Sequence, residues 1–86
     1  MSDLDSDTTS LPAFDLEVDA SGLKCPLPIL RAKKALAQLQ SGQVLKVVTT
    51  DTNAVRDFQA FCRQTGNTLV AQIEQPGNVL HFMARR

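Results

Sequence analysis

Along this chain the spacing of apolar residues switches repeatedly between every second residue and every third or fourth, and that alternation leaves few folds open. From Phe14 the pattern is strict: Leu16, Val18 and Ala20 fall on one face of a strand and Asp15, Glu17 and Asp19 on the other, until Ser21-Gly22 breaks it. From Pro26 to about Gln40 the period becomes helical, with Ile29, Ala32, Leu36 and Leu39 in one stripe, Arg31, Lys33, Lys34 and Gln38 on other faces, and Gly42 as a stop. Residues 44–50 are a β-branched strand, Asp51-Thr-Asn53 offers caps for a second helix over about 53–65, and Gly66-Asn67 ends that helix. Residues 68–75 and 78–85 form two more strands, joined at Pro76-Gly77 as a hairpin. Leu69, Ala71 and Ile73 are expected to face inward from the first, and Leu80, Phe82 and Ala84 from the second.

The order is therefore β-α-β-α-β-β. Right-handed crossovers make helix-linked strands parallel while the hairpin is antiparallel, so the sheet is mixed. Outward positions on the first strand are acidic, and those on the others include Lys46, Gln72, Glu74 and His81. This predicts a two-layer α/β (α+β) sandwich: a mixed four-stranded sheet, both helices on one face, and an open, polar opposite face.

Eighty-six residues suffice for one domain, placed at 14–86; residues 1–13, rich in Asp, Ser and Thr without periodicity, are expected to be a disordered acidic tail. Nine cations balance nine acids, but unevenly: residues 1–19 carry six acids and no Lys or Arg, a charge of −6, and residues 20–86 carry +6. No apolar run approaches the ~20 residues of a membrane span, and no signal-peptide core is evident, so no membrane is expected and a cytoplasmic location is.

Cys25 and Cys62 are too few for a disulfide framework, and a single His81 without any Cys/His cluster argues against a metal site; no cofactor is called for. With no Trp or Tyr and four Phe, stacking platforms for single-stranded nucleic acid are scarce. The chemistry concentrates at Gly22-Leu-Lys-Cys25-Pro26-Leu-Pro28. Pro26 fits the first helical position and the residue before a proline is pushed to extended angles, which makes Cys25 the expected N-cap, its sulfur facing the positive helix end and the free N–H of Leu27. Lys24, Arg31, Lys33 and Lys34 add to that field, so the thiol pKa is expected below the ~8.5 of free cysteine. Pro28 stiffens the first turn and Gly22 loosens the joint before it. A cysteine hydrolase needs a nearby His, and His81 stands on the outward side of the last strand; a dithiol oxidoreductase needs a second Cys where Leu27 stands. What remains is one activated sulfur suited to carrying a group.

These residues resemble the Cys-Pro-x-Pro signature of the TusA/SirA-like sulfur carrier proteins. The likeness extends through Leu16–Asp19, Gly42, Asp51, Arg56-Asp57, Phe61-Cys62 and Gly66, over roughly residues 15–86. It differs at Leu27, often Glu in tRNA-thiolating members, and at Asn67, often His. The resemblance implies the same two-layer fold, and a sulfurtransferase-type carrier in which Cys25 accepts sulfane sulfur as a persulfide. The donor would be a cysteine desulfurase or rhodanese, and the acceptor a protein of tRNA thiolation, molybdenum cofactor or sulfur-oxidation chemistry.

Val55, Phe58, Cys62 and Thr65 share one helical stripe, which makes Cys62 a core thiol. Asp51 and Asp57 are expected to cap or complement the second helix, and His81 to be an outward sheet residue. Lys24, Arg31, Lys33 and Lys34 form the expected docking face for acidic partners, with the acidic tail able to compete for it. The alternative is a small RNA-binding or regulatory interaction module in which Cys25 is structural; the acidic first strand and the shortage of aromatics count against direct nucleic-acid binding.

Overall fold

The computed structural model describes residues 11–86; the expected acidic tail lies, for its first ten residues, outside them. The elements are β1 (Leu16–Ala20), α1 (Leu27–Leu36), β2 (Val44–Thr49), α2 (Ala54–Thr65), β3 (Thr68–Gln75) and β4 (Asn78–Ala84). They form an α+β sandwich of two helices on a mixed four-stranded sheet in the order β1-β2-β4-β3. β1 runs parallel to β2, while β4 is antiparallel to both β2 and β3. The hairpin strand β4 thus slots between the two strands that α2 connects.

The helical stripe of α1 is buried as its spacing demands: Ala32 and Leu36 are covered and Leu39 follows them into the core. The helix stops at Leu36, short of Gln40, because the chain tightens into three-residue turns, with Gln38 N–H bonding Ala35 O and Leu39 N–H bonding Leu36 O. Ala54, Phe58 and Cys62 of α2 meet Leu45 and Val47 of β2, Ala20 of β1 and Met83 of β4 in one core. Gly66 closes α2 in the left-handed conformation at φ +82°.

Two expectations about β3 and β4 are reversed. The register pairs Met83 with Leu45, His81 with Val47 and Val79 with Thr49, so His81 lies beneath the helices, fully buried, its ring 4.6 Å from that of Phe58. Leu80, Phe82 and Ala84 take the opposite face. A bulge between Leu69 and Ala71 shifts β3 by one residue, turning Gln72 inward and Ala71 and Ile73 outward with Phe82 and Leu80. The far face is accordingly not an open polar one. Leu80 and Phe82 are buried there, and Phe14 packs on Phe82 at 6.3 Å between ring centroids, with the Lys46 ammonium 5.1 Å over Phe14. Its polar part is the β1 edge, where Glu17 and Lys46 pair at 3.7 Å.

His81 is accommodated by hydrogen bonds. Gln72 Nε2 donates to Nδ1 at 3.0 Å, which leaves the ring proton on Nε2, 2.7 Å from Thr49 Oγ1. The same Gln72 amide donates to Val55 O, and its oxygen accepts from Gln59 Nε2, so the network ties α2 to the sheet. Burial lowers the imidazole pKa from 6.5 to about 4, and His81 is neutral at physiological pH.

Candidate functional site

Parallel β1 and β2 end side by side, so the loops that follow them share one edge of the sheet. There the second loop holds the first. Thr50 Oγ1 accepts from Gly22 N–H at 2.8 Å, and Asp51 Oδ2 accepts from Cys25 N–H at 3.1 Å. The β1 exit turns on Asp19, whose carboxylate accepts from Ser21 N–H and has its pKa lowered by hydrogen bonding first to the Ser21 side chain and then to its backbone, and on Gly22 at φ +80°. Asp51 therefore anchors the cysteine loop. It does not cap α2 with its side chain, and neither does Asn53.

Cys25 is exposed and free; Cys62 is free and buried. The helix begins at Leu27, with Pro26 in the N-cap position and Pro28 at N2, so Cys25 stands one residue outside the cap expected of it. The Cys25–Pro26 peptide is cis. Leu27 N–H, the expected partner of a Cys25 thiolate, is used by Lys24 O at 2.8 Å. The two prolines have no N–H to offer. The thiol pKa is not lowered but raised, first through hydrogen bonding with Asp57, then by desolvation and by the charges of Asp57 and Asp51.

Cys25 lines a cleft of about 420 Å³ whose other walls are Asn53, Arg56, Asp57, Gln59, Ala60 and Arg63 of α2 and its N-terminus. The charged groups beside the sulfur thus come from the second loop and second helix. The cations of α1 diverge: Arg31 and Lys34 line a groove with Leu16 and Val18 of β1, and Lys33 lines another on the far side with Arg85 and Arg86. Lys24 is exposed beside Cys25. Around the sulfur the surface is also apolar, since Leu27 and Leu30, one turn apart, are 47% and 53% exposed. Asp51, Asp57, Arg56 and Arg63 were the residues sequence reading did not assign to the site. The available signal was topological: a parallel β-α-β unit puts the ends of both strands at one edge.

Among the described residues no cluster of three or more His, Cys, Asp or Glu could hold a metal ion, and no helix is long and apolar enough to cross a membrane. The fold and the site together define a small α+β domain that presents one exposed cysteine in a proline-framed loop. The model of the family described as "Sulfurtransferase TusA" matches residues 16–86, and the chain belongs to that family. It is 56% identical over 73 residues to the sulfur carrier protein TusA of Allochromatium vinosum, covering 85% of this chain and 95% of that one. The sulfur carrier protein TusA of Pseudomonas entomophila is 38% identical over 72 residues, covering 84% and 90%. The crystal structure of a SirA-like protein from Desulfitobacterium hafniense superimposes with a TM-score of 0.74 at 29% identity, covering 81% of this chain and 96% of that one.

Proposed function

We propose that this protein is a sulfur carrier in which Cys25 receives sulfane sulfur as a persulfide from a protein donor and passes it to a protein acceptor. The observation that carries the reading is the exposed thiol of Cys25, fixed by Asp51 at the mouth of a cleft. The only histidine is buried and neutral beneath α2, unavailable as its base. Such a sulfur is built to exchange a group with another sulfur.

Loading is a displacement. Cys25 Sγ attacks the terminal sulfur of a donor persulfide, a new S–S bond forms as the donor's S–S bond breaks, and the proton lost by Cys25 ends on the departing donor sulfur. Unloading repeats the step with Cys25 as the leaving group. Atoms, electrons and protons balance without an external oxidant or reductant.

Family likeness supports a cysteine desulfurase or rhodanese as donor, and an acceptor in tRNA thiolation, molybdenum cofactor or sulfur-oxidation chemistry, all in the cytoplasm. Residues 14–86 act as the carrier domain, with Gly22, Pro26 and Pro28 shaping the loop. Leu27 and Leu30 offer apolar contact beside the sulfur, and Lys24, Arg31, Lys33 and Lys34 offer charge for docking. The test is mass spectrometry after incubation with a persulfidated desulfurase: wild type gains one sulfur atom on the Cys25 peptide and Cys25→Ser gains none. An equal gain by both proteins removes the reading.

A further inference from the structure

The cleft beside Cys25 places a carboxylate where a thiol carrier would be expected to have a cation. Asp57, half-buried in the first turn of α2, lines that cleft together with Cys25, and Asp51 accepts from the Cys25 amide. The charged groups facing the thiol are Lys24 on its own loop, Asp51 on the loop after β2, and Arg56, Asp57 and Arg63 on α2. Both carboxylates favour the protonated sulfur, with Asp57 dominant, so the resting protein carries a thiol and little thiolate.

The thiolate is the nucleophile in alkylation, oxidation and sulfur exchange alike, so a neighbouring carboxylate suppresses all three in the free protein. A cation brought against that carboxylate from outside relieves the suppression. Once ionised, a thiol of raised pKa is the stronger nucleophile, because nucleophilicity rises with basicity. Arg56 and Arg63 frame the cleft but do not outweigh the carboxylates at the sulfur.

We propose that Asp57 is a specificity-determining residue of sulfur transfer: it keeps the resting Cys25 unreactive toward small electrophiles and small persulfides, and releases it to a docked partner that sets a Lys or Arg side chain against the Asp57 carboxylate. This rests on the reading of Cys25 as the carrier sulfur. It names a chemical requirement on the partner, a cation beside the persulfide or acceptor thiol. The transfer remains the balanced displacement given above, and Asp57 forms no bond to the travelling sulfur.

The experiment uses the full chain as wild type, Asp57→Asn and Asp57→Glu. Peptide-resolved mass spectrometry follows Cys25 alkylation by iodoacetamide against pH, and sulfur loading from a persulfidated cysteine desulfurase and from glutathione persulfide. Asp57→Asn is expected to alkylate severalfold faster at neutral pH, its profile moving to lower pH as the thiolate fraction rises. Its preference for the protein donor over glutathione persulfide is expected to fall by a similar factor, and Asp57→Glu to retain the wild-type pattern. Should Asp57→Asn fail to fold, Asp57→Ser is read in its place, and Asp57→Glu against wild type in high salt gives the charge dependence. A wild type loaded by neither donor overturns the carrier reading and this inference with it. A wild type that loads, while the variant keeps both the alkylation profile and the donor ratio, overturns the inference alone.

Discussion

At the scale of single residues, the site turns on which groups meet one sulfur. Pro26 and Pro28 mark the start of α1 in the sequence, and the helix does start there, yet one residue of difference in the cap removes the dipole from Cys25. With Leu27 N–H committed to Lys24 O, the thiol answers to Asp57 and Asp51 instead, and its pKa moves up rather than down. His81 misleads for a related reason. Polarity places it outward, but two hydrogen-bonding neighbours on other elements, Thr49 and Gln72, the latter held in turn by Gln59, make its burial tolerable. A consequence follows for stability. The unfolded chain protonates His81 near pH 6.5 and the folded protein only near 4, so below 6.5 the unfolded state binds more protons and stability falls as pH drops toward 4. About 3 kcal/mol is at stake over that window. Urea unfolding at pH 7 and pH 4.5 should show a markedly smaller loss in His81→Gln than in wild type.

At the scale of elements, the loop after β1 depends on the loop after β2. Asp51→Ala removes the acceptor of Cys25 N–H and should cost about 1–2 kcal/mol in chemical denaturation. It should also speed hydrogen exchange of the Cys25 amide, whereas Asp51→Asn, which keeps an acceptor oxygen, should lose less. The strands carry a second lesson. β4 reads as apolar in either phase, Val79 and Met83 on one side and Leu80 and Phe82 on the other, so alternation by itself does not choose a face. The β3 bulge at Val70 has no sequence mark, and it decides that Ala71 and Ile73 join Phe82. Because Phe82 is fully buried on the face without helices, Phe82→Ala should cost about 3–5 kcal/mol by thermal or urea unfolding. A loss below 1 kcal/mol would show that face to be the open surface the alternation suggested.

At the scale of the whole molecule, a zero net charge conceals a division into an acidic N-terminal stretch and a cationic remainder. Folding distributes the cations of that remainder over several surfaces, with Arg31 and Lys34 toward β1, Lys33 toward Arg85 and Arg86, and Arg56 and Arg63 at the sulfur. Among the described residues Lys46 pairs with Glu17, and Lys24, Arg31, Lys33, Lys34, Arg56 and Arg63 are exposed. Sulfur transfer from a protein donor is expected to slow severalfold as salt rises from 0.05 to 0.5 M, since screening shortens the reach of these charges to well below ~10 Å. Stopped-flow loading measured across that range checks it, and a flat profile would mean that contact rather than charge brings the partners together.

Local regularities were settled by the chain itself: the order of elements, the helical stripes that bury Ala32, Leu36, Phe58 and Cys62, the turn at Pro76-Gly77, and the proline-framed loop that puts a cysteine just before α1. Each depends on period, proline geometry or glycine, which neighbours in sequence establish. The tertiary structure alone decided what stands beside the sulfur, which side of β4 faces the helices, and the sign of the Cys25 pKa shift. Those outcomes rest on residues some thirty positions apart brought together by a parallel pair of strands, and on a single-residue bulge. Burial and charge act through space, so sequence spacing does not carry them.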